Sequence, residues 1–201
     1  MTKNCRNCRK FGEKLFLKGE RCSSPKCALA RRVNTPGTAP AKGTSQVRRR
    51  KKSEYGIQLQ EKQKAKTDYG LREKQFRLVY EKGVKRELAT GEAMLQILEL
   101  RLDNVVYRMG LTSSRAAARQ MVNHGHIKVN GKVLDIPSYQ TKVKDVIEPV
   151  KPVDPKKIIG TSPKWLKMDK KLGKAEISSL PTRDEIETAV DEQLIVEYYS
   201  R

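Results

Sequence analysis

The hydrophobic period of this chain changes at Gly125, and that change decides what its middle can become. Before it, Leu95, Leu98, Leu102, Val105, Val106 and Met109 recur at spacings of three, four and seven, which marks one apolar helix face. Gly110 stops that helix. Thr112, Ser113 and Ser114 offer N-cap oxygens for a second helix carrying Arg115, three alanines, Arg119 and Val122. Ala118 and Val122 face the first helix, and the alanines permit close approach. Gly125 suits the C′ position that closes the second helix. After it the period is two. Ile127, Val129 and Val133 flank an Asn130-Gly131 turn and read as a tight hairpin, and Val143, Val146 and Ile147 suggest a further short strand. Residues 94–150 therefore read helix, helix, small antiparallel sheet.

From Ser53 a helical pattern with Tyr55, Ile57 and Leu59 runs to about Lys66. Tyr69-Gly70 breaks it, and a second helix is expected from about Leu71 to Lys82, with Phe76, Val79 and Tyr80 on one side. The face carrying Lys62, Lys64, Lys66, Arg72, Lys74 and Arg77 is too basic to be buried. Beyond the hairpin, Pro149, Pro152 and Pro155 redirect the chain, and Trp165-Leu166 reads as a core anchor. Loops then alternate with an expected helix at 182–189 and strand at 193–199. The fold class is α+β, mainly helical, in three parts. Residues 1–45 form a Cys-rich module and linker. Residues 46–93 form a basic helical domain completed by 174–201. Residues 94–173 form the helix-helix-hairpin domain with an extension.

Charge limits what such a chain can do. The 43 Lys and Arg against 23 Asp and Glu give a formal net charge of +20, with 37% hydrophobic and 5% aromatic residues. Small packed units separated by solvated segments fit this better than one large core. So positive a surface calls for a polyanion, and nucleic acid is the natural one. An anionic membrane is the rival, but no long uncharged apolar run is present, and the N-terminal residues are already basic, so no export signal or membrane role is expected. The charge is uneven: net +16 over residues 1–98, +9 over 99–175 and −5 over 176–201. The acidic tail is expected to face protein rather than nucleic acid.

Cys5-x2-Cys8 and Cys22-x4-Cys27, thirteen residues apart, can place four thiolates around one zinc ion. Such a centre carries a charge of about −2, which Arg6, Arg9, Lys10, Arg21 and Lys26 would offset. With no open coordination position its role is structural. An iron–sulfur cluster uses the same ligands and stays open as an alternative, as do four cysteines without metal. Disulfides are disfavoured in the reducing compartment expected here.

The run Arg48-Arg49-Arg50-Lys51-Lys52 reads as an arm laid along phosphates. Arg115 and Arg119, four apart on one helix face, join Lys128 and Lys132 as expected phosphate contacts. His124 and His126 flank Gly125, where they can cap and pack or meet RNA directly. Tyr55, Tyr69, Tyr80, Tyr107 and Tyr139 can stack on bases or half-bury in the core, and packing is the better reading for Tyr80 and Tyr107. Catalytic patterns are poor. Gly125-x5-Gly131-Lys132 has one residue too many for a phosphate loop and lacks the following Ser or Thr. Arg101-Leu102-Asp103 resembles the element that bears the catalytic aspartate of pseudouridine synthases, but it falls inside the amphipathic helix.

These stretches together resemble the signature of the bacterial-type small-subunit ribosomal protein four family. The residues that carry the likeness are Leu100 through Gly110, Ser114 through Gln120, His124 through Gly131 and Ile136 through Tyr139. The likeness extends to Ser53-Glu-Tyr55, Glu61 through Lys64, Tyr69-Gly70, Glu73 through Arg77, Pro163 through Leu166 and Glu192 through Arg201, nearly the whole chain in order. The cysteine pattern looks like the zinc-bearing branch. The resemblance implies a non-enzymatic, cytoplasmic ribosomal component. It would bind small-subunit ribosomal RNA early, nucleate assembly and contribute to translational accuracy. It also implies contact with ribosomal protein five and other small-subunit proteins, proximity to messenger RNA where it enters the subunit, and in some members repression of their own mRNA. Two departures stand out: the segment Thr38–Gln46 lacks the His-Gly that often follows the Pro-Gly turn, and Asp191 stands where Asn is common. Two other classes compete. An RNA-modifying enzyme of the pseudouridine-synthase kind needs a catalytic domain for which the chain has little room, and the other is a metal-dependent RNA-binding regulator.

Overall fold

In the computed structural model, residues 3–31, 53–155, 158–159 and 162–201 are described. The expected arm at Arg48, Arg49, Arg50 and Lys51 lies outside them. Three short helices open the chain: α1 (Lys3–Phe11), α2 (Glu20–Ser23) and α3 (Ala28–Arg31). Cys8, Phe11 and Leu15 make a small core of their own, with Leu17 packed against it.

Helix α4 (Glu54–Asp68) starts where Ser53 Oγ accepts the Gly56 N–H at 3.2 Å, and it ends at Gly70, whose φ is 62°. It is followed by α5 (Glu73–Val84) and α6 (Thr90–Glu99). Ala65, Tyr69, Phe76, Val79, Met94, Leu95 and Leu98 bury together, and Ile186, Val190 and Ile195 return from the C-terminal segment to close this core. The last helix, α9 (Glu192–Ser200), packs on α4 and α6.

A second core holds Leu102, Val105, Val106 and Met109 of α7 (Leu102–Arg108), Ala118 and Val122 of α8 (Arg115–Asn123), and the inner face of a sheet. The sheet comprises β1 (Ile127–Val129), β2 (Lys132–Val133), β3 (Val146–Pro149), β4 (Leu166–Asp169) and β5 (Lys174–Ile177), all antiparallel, in the order β2-β1-β3-β5-β4. Trp165 is 1% exposed and anchors this core, as expected. Asn130 and Gly131, with φ of 51° and 79°, form the expected hairpin turn, since both central positions need a left-handed backbone. Among the described residues, no helix is long and apolar enough to cross a membrane.

The structure departs from the sequence reading in four places. The helix expected to run through Leu102 breaks at Leu100-Arg101. There, the Leu100 carbonyl accepts N–H and O–H from Thr141 at 3.0 and 2.8 Å, and the Leu102 N–H donates to the Tyr139 carbonyl at 2.9 Å. Tertiary hydrogen bonds replace the helical ladder for one residue, and the apolar period continues because both helices bury the same side. The cores consequently divide between Leu98 and Leu100, not ahead of Met94.

Lys62 and Lys64, on the face judged too basic to bury, are 4% and 3% exposed. Lys62 Nζ sits 2.6 Å from Glu73 and over the Tyr198 ring, and Lys64 Nζ lies 2.6 Å from Glu13 and 3.5 Å from Glu61. At the C-terminus the helix expected at 182–189 is a single turn at Arg183–Glu185, and the strand expected at 193–199 is α9. The Thr182/Glu185 capping box starts a helix that Ile186 leaves in order to enter the core. Asp191 Oδ1 then caps α9 by accepting N–H from Gln193 and Leu194 at 3.0 and 3.4 Å, and burial of Ile195 overrides the β-preference of its neighbours. Strands β4 and β5 were not anticipated.

Candidate nucleic-acid interface

Helix α8 carries the two arginines expected to meet phosphates. Ser114 Oγ caps it by accepting the Ala117 N–H at 3.3 Å. Arg115 therefore sits in the first turn, where the helix dipole disfavours a cation. Its guanidinium is held from outside the helix. Nη1 donates to Asp68 and Nε to Asn104, both at 2.8 Å, and the plane lies 4.8 Å from the Tyr69 and Tyr107 ring centres. One turn on, Arg119 donates through Nε and Nη2 to Asp103 at 2.8 and 2.6 Å, and through Nη1 and Nη2 to the carbonyls of Gly70 and Tyr69 at 2.6 and 3.0 Å.

The partners of these arginines form a network that sequence reasoning missed. Arg101 makes a paired contact with Asp103 at 3.1 and 3.0 Å. Glu99 is completely buried and accepts from Arg108 at 2.8 and 2.9 Å, from the Tyr69 hydroxyl at 2.8 Å and from Asn104 at 2.8 Å. Burial raises the Glu99 carboxyl, but Arg108 and its hydrogen bonds outweigh burial and hold it below the usual carboxylate range. Burial pushes the Asp68 carboxyl up, and Arg115 offsets this only in part. The available signal was the placement of Glu99 and Asp103 among apolar residues, since a carboxylate buried there needs a cation.

The other end of the unit is different. Helix α8 closes in a Schellman arrangement, with the Gly125 N–H on the Val122 carbonyl at 2.9 Å and the His126 N–H on the Met121 carbonyl at 3.1 Å. His124 and His126 are exposed, with ring centres 6.1 Å apart. The hairpin folds back toward them. A Cβ at Gly125 would lie 3.6 Å from Val133, and Lys132 precedes Val133 on the exposed strand β2. Lys128 pairs in register with Glu148, which Lys174 engages at 2.6 Å. Lys142 and Lys144 are exposed on the next loop. Arg72, at the N-cap of α5, and Lys74 and Arg77 on the helix are exposed, and Arg77 pairs with Glu81 at 3.1 Å. The structure thus gathers His124, His126, Lys128 and Lys132 at one end and turns Arg115, Arg119, Lys62 and Lys64 inward.

Cys5, Cys8, Cys22 and Cys27 line one small cavity of about 20 Å³ together with Leu17, Lys18 and Arg21. They form no disulfide. Burial raises the Cys8 thiol, while backbone N–H groups at the start of α3 lower that of Cys27. The donor set suits zinc in its chemistry. However, among the described residues no three His, Cys, Asp or Glu side chains form a group able to hold a metal ion. The thiols share a cavity without making a coordination shell.

Residues 1–99 match the family described as Ribosomal protein S4/S9 N-terminal domain, and residues 100–147 match the S4 domain. Small ribosomal subunit protein uS4 of Acetivibrio thermocellus is 51% identical over 207 residues, covering 98% of this chain and 97% of that protein. The protein of the same name from Syntrophomonas wolfei is 48% identical over 206 residues, covering 98% and 96%. The chain belongs to the uS4 family. The boundary between the two matched domains falls at the Leu100-Arg101 break, so the network of Glu99, Asp103, Arg108, Arg115 and Arg119 joins the N-terminal domain to the S4 domain. The S4 match ends at 147, yet β4 and β5 continue the same sheet beyond it. The uS4 relatives are ribosomal proteins rather than enzymes. Asp103, in the element that resembles a synthase motif, is 3% exposed and engaged by two arginines.

Proposed function

We propose that this chain is a structural component of the small ribosomal subunit that binds its ribosomal RNA directly, nucleates assembly and contributes to translational accuracy. The observation that carries this reading is an asymmetry of charge pairing. Asp68, Glu73, Glu99, Asp103 and Glu192 are engaged by cations within the fold. Lys74, Lys132, Lys142 and Lys144 are exposed and make no ion pair among the described residues. An outward surplus of cations suits a polyanion of defined shape, and recognition then depends on the geometry of a folded RNA junction. The RNA-facing residues in this reading are His124, His126, Lys128 and Lys132 at the hairpin end, Arg72 at the N-cap of α5 with Lys74 and Arg77 on that helix, and the basic run Arg48–Lys51.

The acidic C-terminal segment is the face for protein partners, ribosomal protein five among them, and messenger RNA passes nearby where it enters the subunit. The four cysteines are the ligands of a structural zinc ion, which would draw the thiols closer and fix the N-terminal module. Metal analysis of anaerobically purified protein tests this, and absence of a stoichiometric metal defeats it. The test of the main reading is gradient sedimentation of cell extract followed by a high-salt wash. Retention at one copy per small subunit is expected. Release at moderate salt would mark a transient RNA binder.

A further inference from the structure

We propose that Arg115 and Arg119 are positioning residues: they lock the S4 domain onto the N-terminal helical domain in one orientation, and RNA affinity depends on them through that orientation rather than through phosphate contact. The inference rests on the RNA-binding reading above, and it reverses what the spacing of these residues suggests.

Three observations carry it. First, both side chains start on α8, in the S4 domain, and end on Asp68, Tyr69 and Gly70, at the close of α4 in the helical domain. Second, most of their donors are already directed at protein acceptors. All three nitrogens of Arg119 donate to protein acceptors. Arg115 is flanked by Tyr69 and Tyr107 and bonded to Asp68 and Asn104, and only 16% of its side chain is exposed. A cavity of about 240 Å³ opens beside both side chains, so a phosphate there would have to compete with these acceptors for the guanidinium groups. Third, the join is reinforced in the opposite direction. Glu99, from the helical domain, is held by Arg108 and Asn104 of the S4 domain. Each domain thus inserts charged groups that the other must satisfy. Such a join has one good register, because a slip strands a buried charge.

The guanidinium is needed for this, since a lysine's single ammonium nitrogen cannot place separate nitrogens on Asp68 and Asn104 while its centre stays 4.8 Å from both the Tyr69 and Tyr107 rings. The join sets where the hairpin lysines stand relative to α5, and RNA of fixed shape reads that spacing.

The test uses the full chain and small-subunit ribosomal RNA transcribed in vitro. Affinity is measured across a salt series for Asp68→Asn, Asp103→Asn and Arg115→Lys. All three leave the cation in place. The lock predicts weaker binding by roughly 5- to 150-fold, the usual span of a coupling between sites, with the salt slope unchanged. Small-angle scattering of the free variants should show a broader distribution of shapes. Phosphate contact predicts the reverse: Arg115→Lys retains affinity, and the two Asp variants bind as well as the parent or tighter because a cation is released. Either result overturns the proposal. Where an Asp variant fails to fold, as judged by loss of the buried-Trp165 fluorescence, Arg115→Lys decides alone. If the parent chain does not bind the RNA, the RNA reading fails, and the scattering comparison still tests the lock.

Discussion

At the join between the two domains every guanidinium has an acid. Arg101 and Arg119 share Asp103, Arg108 holds Glu99 and Arg115 holds Asp68. At the hairpin end, Lys132, Lys142 and Lys144 have no ion-pair partner among the described residues, and Lys128 lies across the strand register from Glu148, the carboxylate that Lys174 engages. Between these two ends the division follows side-chain chemistry, although Lys62 and Lys64 show that a lysine also buries where carboxylates meet it. Arginine is planar, weakly hydrated and able to bond a carboxylate through two nitrogens, so it tolerates burial at a join. Lysine is a compact, strongly hydrated charge, suited to a wet contact with phosphate. Net charge therefore says little about which cations meet RNA, because the fold assigns them by partner.

The contrast can be broken most forcefully at Glu99. Glu99→Ala leaves Arg108 beside an empty acceptor at the centre of the join, and a loss of about 3–5 kcal/mol is expected. Chemical denaturation followed by Trp165 fluorescence measures this, and an unshifted midpoint would show that the join is not buried as described. The hairpin end has its own polar hinge at Asn130. Its amide donates to Asp145 at 2.9 Å, its carbonyl accepts the Val146 N–H at 2.9 Å, and its φ is 51°. Asn130→Ala should cost about 1–3 kcal/mol and should accelerate amide exchange in β2 and β3 while leaving α4 to α6 untouched.

The smallest effect concerns Glu73. Burial raises its carboxyl, but hydrogen bonds from Lys62, Lys66 and Tyr199 prevail and hold it down at about 2. A folded value below the ordinary 4.5 means that its contribution is complete above that pH and fades as pH falls toward 2. Half of the side chain is exposed, so solvent screening keeps the effect modest. Glu73→Gln should flatten the acid limb of stability between those two values. An identical acid limb in the variant would remove Lys62 from the set of paired cations.

Much of the S4 domain was legible because local and tertiary preferences agree there. The helix stop at Gly110, the cap at Ser114, the closure at Gly125 and the turn at Asn130-Gly131 are each fixed by backbone chemistry that few residues satisfy. The rest was not legible for physical reasons. The break at Leu100-Arg101 depends on hydrogen bonds to the Tyr139 carbonyl and from Thr141, about forty residues away, and leaves the apolar period intact. Strands β4 and β5 do alternate, with Leu166 buried on one and Ala175 and Ile177 on the other, but each is four residues long and set among lysines. The C-terminal helix was hidden by β-branched and aromatic residues whose preference yields once Ile195 enters a core built by α4 and α6. The candidate cations were recognisable by type, but which of them turn inward depends on Asp68, Glu73 and Asp103 arriving from elsewhere in the chain.

The most direct test of the account is the salt dependence of RNA affinity for Lys128→Gln with Lys132→Gln in the full chain. The slope of log affinity against log salt should become shallower by roughly 0.7–0.9 for each phosphate contact removed, with thermal stability within about 0.5 kcal/mol of the parent. An unchanged slope would contradict it, because the hairpin end would then not be where this protein meets RNA.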